Sequence, residues 1–166
     1  TQFGGPNGEL AASLRYISQR YTMPDDEGKA LLTDIGTEEL AHLEMISTMV
    51  YQLGLNATIE EIKEAGLESY YTEHGLSLYP VDSNGVPFTA AYFAVTGDPV
   101  ADIAENMAAE QKARAIYEHL MNLTDNPELL APLSFLRQRE IIHYQRFKEL
   151  YEKYVCIYYQ PDKARK

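Results

Sequence analysis

Two Glu-x-x-His motifs, each preceded by a glutamate at the same distance, constrain this chain more than any other feature. Glu39-Leu40-Ala41-His42 is the first and Glu140-Ile141-Ile142-His143 the second. Glu9 stands 30 positions before Glu39 and Glu110 stands 30 before Glu140, so each residue maps onto its counterpart by an offset of 101. A tyrosine follows each lone glutamate by seven positions, Tyr16 and Tyr117. Residues i and i+3 share one face of a helix, so each motif aims a carboxylate and an imidazole the same way. For any one of these residues the competing reading is a solvated acidic face with a helix-interior histidine. The matched spacing of all six weighs against it.

The flanking residues supply the helices. The first long helix is expected over residues 7–22, with Asn7 as N-cap and Pro24 as its stop. A second starts near Asp25, whose followers Asp26 and Glu27 suit the positive end of the helix dipole, and ends near Leu53 before Gly54. Thr58-Ile59-Glu60-Glu61 reads as a capping box opening a short helix that Gly66 closes. The third long helix opens at Asp98-Pro99 and runs to Leu123; the fourth spans 132–154, its approach interrupted by Pro127 and Pro132. At about 1.5 Å per residue, Glu9 and Glu39 come level across the first hairpin.

Alternating steps of three and four place the motifs on core-facing seams. These are Ile35, Glu39, His42, Ile46, Met49 and Leu53 on the second helix, and Leu136, Glu140, His143, Phe147, Leu150 and Tyr154 on the fourth. The third offers Ile103, Met107, Glu110, Arg114, Tyr117 and Met121, with Arg114 the awkward member. Residues 67–97 hold no helical period, and a connection this long serves to carry the chain along a bundle whose second and third helices run parallel. The expected fold is all-α: a ferritin-like four-helix bundle over residues 1–154 with a long crossover between helices 2 and 3, then a polar C-terminal tail, 155–166.

Four carboxylates and two imidazoles thus occupy core positions. Burying an unpaired charge costs several kcal/mol, and two divalent cations would compensate. Carboxylate and imidazole without thiolate suit manganese or iron, in the pattern of dinuclear carboxylate bundles. Composition closes other routes. With 14 Lys+Arg against 25 Asp+Glu the net charge is −11, which disfavours nucleic acid and anionic membranes. Cys156 is the only cysteine, so neither an intrachain disulfide nor a cysteine-rich zinc site can form. No apolar run approaches the roughly 20 residues of a membrane span. The chain of 166 residues fits one domain; it begins with Thr1 and shows no signal peptide, so an intracellular protein with a trimmed N-terminus is expected.

Other side chains carry less. His74 and His119 read as surface residues, Tyr117 as a plain core aromatic, and Cys156 has no assigned role. Tyr70, Tyr71, Tyr79 and Tyr92 in the crossover suggest packing or subunit contact. Tyr16 suits a hydrogen bond that supports a ligand carboxylate.

Three segments carry a family resemblance: Gly4-Gly5-Pro6-Asn7-Gly8-Glu9-Leu10; Thr33-Asp34-Ile35-Gly36-Thr37-Glu38-Glu39-Leu40-Ala41-His42-Leu43-Glu44; and Gly85-Val86-Pro87-Phe88-Thr89-Ala90. They resemble the manganese catalase family, and within it the short CotJC-type spore-coat members, over about Phe3 to Tyr151. The resemblance implies two manganese ions that disproportionate hydrogen peroxide to water and dioxygen. By position Glu9, Glu39, His42, Glu110 and His143 match the family's metal ligands. Glu140 matches a glutamate that shuttles protons without binding metal, and Tyr16 matches an outer tyrosine beside the bridging carboxylate. The resemblance also implies a homo-oligomer, with the spore coat and other coat proteins as expected surroundings.

The chain departs from that pattern in having no segment ahead of the first glutamate helix and no long C-terminal extension. It also carries tyrosine at position 117, where some members have lysine. Two other readings stay open on the residues alone. One is a di-iron ferroxidase or peroxidase in which two iron ions are held by all four glutamates. The other is a structural coat protein whose metals stabilise the bundle.

Overall fold

A computed structural model describes residues 1–72 and 77–159. His74 and the tail residues 160–166 lie outside the described residues. Five helices carry the fold: α1 Glu9–Gln19, α2 Asp26–Gly54, the short α3 Ile59–Glu64, α4 Pro99–Met121 and α5 Pro127–Tyr159. Among the described residues β-structure is confined to two isolated bridges, Tyr71 with Leu78 and Val81 with Pro87. No helix there is long and apolar enough to cross a membrane.

Cross-helix contacts fix the topology. Asp34 pairs with Arg146 at 2.6 Å, and Glu27 pairs with Lys153 at 2.6 Å. Numbers falling on α2 meet numbers rising on α5, so these two helices are antiparallel. On α1 and α4, Glu9 meets Tyr117 and Tyr16 meets Glu110, so that pair is antiparallel as well. With α1 and α2 joined as a hairpin, α2 and α4 must run parallel, and the segment between them crosses the bundle lengthwise as the four-helix reading requires. Gly36 lets α1 approach α2 closely: a Cβ there would lie 2.9 Å from Ile17 Cγ1, and the Ser13 hydroxyl donates to the Gly36 carbonyl at 2.6 Å.

Several helix ends differ from expectation. Gly8, not Asn7, is the N-cap of α1, and the Gln2 carbonyl accepts the Glu9 N–H at 2.9 Å in place of a side-chain cap. The expected first helix tightens into a 3₁₀ turn over Arg20–Thr22. Asp25 and Asp98 cap α2 and α4 as expected, and Thr58 with Glu61 forms the full capping box. The fourth long helix begins at Pro127 rather than 132, because Asn126 Oδ1 accepts the Glu128 N–H at 2.9 Å and proline is tolerated in a first turn. Pro132 lies within α5. The bond it removes would have used the carbonyl of Glu128, on an exposed turn where water can replace it. At its other end α5 continues to Tyr159, past the expected limit at Tyr154.

The seam of α5 is buried as anticipated, from Leu136 through Glu140, His143, Phe147 and Leu150 to Tyr154. That of α2 is buried up to Met49, whereas Leu53 is exposed. On α4 the buried line runs through Ile103, Asn106, Glu110, Ala113 and Tyr117. Met107, Arg114 and Met121 are displaced to its edge, where Arg114 binds Gln111 at 2.9 Å and Glu118 at 2.7 Å. Two apolar clusters result. Leu32, Ile35, Ile103, Phe147, Leu150 and Tyr154 belong to one; Ile46, Met49, Tyr117, Leu133 and Leu136 form the other. The polar residues of the duplicated motifs lie between them.

Candidate metal centre

All six motif residues meet in the middle of the bundle, and none of Glu9, Glu39, His42, Glu110, Glu140 or His143 is more than 2% exposed. Glu9 sits in the first turn of α1, where the N-terminal dipole favours a carboxylate. Glu39 and His42 stand one turn apart on α2, Glu140 and His143 one turn apart on α5, and Glu110 projects from mid-α4.

The geometry repeats across the two halves. Glu39 uses both oxygens: Oε2 lies 2.7 Å from His42 Nδ1 and Oε1 lies 2.8 Å from His143 Nδ1. His42 Nδ1 is also 3.7 Å from Glu9, and His143 Nδ1 is 3.6 Å from Glu110. The imidazoles stack with centroids 5.6 Å apart and planes 19° from parallel. Two sets of donor atoms follow, each compact enough for one ion: Glu9, Glu39, His42 and Glu140; and Glu39, Glu110, Glu140 and His143. Glu39 and Glu140 belong to both.

The donors fit a pair of cations by their unmet needs. Glu110 Oε2 and Glu140 Oε1 are buried and accept no protein hydrogen bond, and Glu39 Oε1 and His143 Nδ1 meet only each other, without hydrogen-bond alignment. Buried polar groups normally find partners, so several orphans converging on one spot point to ligands. Each set offers three carboxylates and one imidazole, the donor chemistry of manganese or iron.

Protonation follows the same crowding. Burial pushes the Glu140 carboxyl well above the usual carboxylate range, and the charges of Glu9, Glu110 and Glu39 push it further. Burial raises Glu9 likewise, with Glu39 adding to it. Burial opposes the charge on Glu39 too, but the adjoining His143 and His42 imidazoles outweigh it and hold that carboxyl far below its ordinary value. Burial would lower both histidines; instead Glu39 and Glu9 raise His42 to about 9, and Glu110 and Glu39 raise His143 to about 11.

Tyr16, expected to support a ligand carboxylate, donates its hydroxyl to Glu110 on the opposite helix. Tyr117 corrects the expectation of a plain core aromatic: it is fully buried and its hydroxyl donates to Glu9. The two bonds are crossed copies of one another. Because α1 and α4 are antiparallel, a residue seven positions past one glutamate arrives beside the other. The offset of 101 linking Tyr16 to Tyr117 carries this relation, which no single helix contains.

Glu38 and Arg139 were not anticipated. Arg139 donates to the Glu38 carboxylate through Nε at 2.6 Å and Nη2 at 3.2 Å, and Glu38 faces the outer nitrogens of both histidines. Among the remaining candidates, His119 is exposed, Tyr79 is 45% exposed, and Tyr70, Tyr71 and Tyr92 are partly buried in the crossover.

Fold and centre together define a ferritin-like bundle built around buried carboxylates and imidazoles that could hold a dinuclear metal site. The family model for manganese containing catalase matches residues 1–155, and the chain belongs to that family. It is 56% identical over 151 residues to protein CotJC of Bacillus subtilis, covering 91% of this chain and 79% of that one. It is 39% identical over 152 residues to a probable manganese catalase of Clostridium acetobutylicum, with 92% and 68% covered. Among solved structures, wild-type KatB, a manganese catalase from Anabaena, superposes with a TM-score of 0.80 at 34% identity, covering 91% of this chain and 68% of KatB.

Proposed function

We propose that the chain is a dimanganese catalase that converts hydrogen peroxide to water and dioxygen. The observation that carries this reading is the pair of buried donor sets sharing Glu39 and Glu140 in a member of the manganese catalase family. A bound metal pair supplies two one-electron changes, matching the two-electron oxidation and reduction of peroxide.

The chain's own residues do the rest. Glu9, Glu39, His42, Glu110 and His143 would hold the ions, Glu39 belonging to both donor sets. Tyr16 and Tyr117 orient Glu110 and Glu9 from the far side. Glu140 holds and passes the proton: its raised pKa suits a general acid at neutral pH, and it lines, with Glu9, Arg15 and Tyr16, a small cavity beside the site. The apolar clusters on either side keep bulk water out.

The similarity to CotJC supports a place in the spore coat. Exposed Leu53 and Leu123, both lining one apolar groove, support contact with further copies or coat proteins.

Protein purified without added metal should contain two manganese ions per chain and evolve oxygen from peroxide. Glu140→Gln should retain the metal and lose most turnover; a folded, manganese-loaded protein without oxygen evolution would leave only the structural coat role. One observation favours the di-iron alternative: Glu140 lies in both donor sets just as Glu39 does, the arrangement in which all four glutamates bind. Iron in place of manganese on elemental analysis, with metal lost in Glu140→Gln, would decide for it.

A further inference from the structure

The offset of 101 that superposes the ligands also places Arg139 where the first half has Glu38. These counterparts do not lie apart in their own halves; they meet. Glu38 stands one residue before Glu39 on α2, and Arg139 one residue before Glu140 on α5. Two glutamates here would oppose like charges, and two arginines would confront both imidazoles with cations. One of each avoids both, and leaves a single carboxylate where a symmetric site would have two.

That carboxylate faces four donors. Arg139 Nε and Nη2 approach Oε1 and Oε2 at 2.6 and 3.2 Å. From the bundle side His42 Nε2 lies 3.4 Å from Oε1 and His143 Nε2 lies 3.2 Å from Oε2, within ion-pair reach, and neither nitrogen makes a protein hydrogen bond. An ionised carboxylate offers about four lone-pair sites; Arg139 occupies two, and the imidazoles are the groups that face the carboxylate from the other side. Both imidazoles point Nδ1 into the donor sets and Nε2 at Glu38, and the stacking of the rings lets one residue reach both. The outer partner of a histidine ligand fixes which nitrogen carries the proton and steadies the ring.

We propose that Glu38 is a single positioning residue for both histidines, with Arg139 as its counter-ion, so that the affinities of the two ion positions are set together. It keeps the proton on each Nε2 and leaves each Nδ1 lone pair for metal. This rests on the dinuclear reading above, and it distinguishes Glu38 from a mere clamp between α2 and α5.

Titration of the metal-free chain with Mn²⁺ alone, followed by calorimetry and metal analysis, tests it. In Glu38→Gln both ions should bind more weakly, by about 10–100-fold, while the melting temperature of the metal-free protein changes little. Arg139→Gln breaks the same ion pair but keeps the carboxylate, and should weaken binding by no more than a few-fold. The exchanged pair E38R/R139E presents the carboxylate from α5 and should recover most of the affinity. Equal losses in Glu38→Gln and Arg139→Gln, or weakening of one ion only, would overturn the proposal. Should Glu38→Gln fail to fold, a folded exchange variant that still binds both ions weakly would overturn it instead. Failure of the unaltered chain to take up two Mn²⁺ would refute the dinuclear reading itself.

Discussion

Loading the centre must expel protons, and the structure says how many. Without metal, His42 and His143 hold theirs up to about 9 and about 11, so both are imidazolium at pH 7. Glu9 and Glu140 are raised above the ordinary carboxylate range by burial and by neighbouring carboxylates. A metal ligand must be deprotonated. Converting both imidazoles to ligands therefore releases two protons at pH 7, and a third leaves where the raised Glu9 also holds its own. Each displaced proton makes binding about tenfold stronger per pH unit, or about 1.36 kcal/mol. For two imidazole protons, the product of the two association constants should rise about 100-fold per pH unit up to pH 9, and about tenfold per unit from there to 11.

The stability of the metal-free fold should move the opposite way. A histidine with a raised folded-state pKa contributes stability that is complete below its unfolded value near 6.5. That contribution is lost as pH rises through about 9 for His42 and about 11 for His143. The raised Glu9 and Glu140 act in the same direction, since ionising them inside the bundle is unfavourable. Glu39, held low, contributes in full above its unfolded value near 4.5 and loses that contribution as pH falls, so it favours unfolding in acid and does not affect the alkaline side. Calorimetric Mn²⁺ titrations in two buffers of different ionisation enthalpy count the protons, and melting curves from pH 7 to 10 give the second trend. Release of fewer than one proton per ion pair, or an affinity flat between pH 6 and 8, would refute the charge assignment.

Two further outcomes follow from the packing. Tyr16→Phe and Tyr117→Phe each remove a hydroxyl from a buried carboxylate, so each should destabilise the metal-free protein by about 1–3 kcal/mol in urea unfolding. The crossed geometry requires the two losses to be similar; a neutral Tyr117→Phe would return that residue to the role of a plain core aromatic. Leu136→Ala empties a fully buried position beside the centre and should cost about 2–5 kcal/mol, readable from the urea midpoint with the slope unchanged.

The convergence of the six buried motif residues could be read from the chain because polar residues interrupt an otherwise apolar seam, and helical periodicity alone decides which residues share a face. The partners of those residues depend on how helices cross, which no local window contains. Tyr117 is seven residues from Glu110 yet bonds to Glu9, an outcome decided by the antiparallel setting of α1 and α4. The start of α5 was within reach: the offset of 101 carries the cap Asp25 onto Asn126, which caps α5 in fact. Pro127 and Pro132 are helix breakers in most settings, but the first lies where a helix tolerates proline.

The places where the two halves disagree are as informative as those where they match. Ser13 and Gly36, which draw α1 against α2, correspond to Arg114 and Arg137, which share Glu118 at 2.7 and 2.6 Å. One hairpin closes on small residues and the other on a charged cluster, so Arg114 sits at the edge of the seam its spacing suggested. Glu38 against Arg139 is the same kind of disagreement placed beside the centre. A duplicated scaffold can repeat every group that touches its own half, but a group close to the axis meets its own counterpart. There like charges repel: Glu39 and Glu140 both remain inside the donor sets, whereas beside them only Glu38 keeps the carboxylate and its counterpart is Arg139.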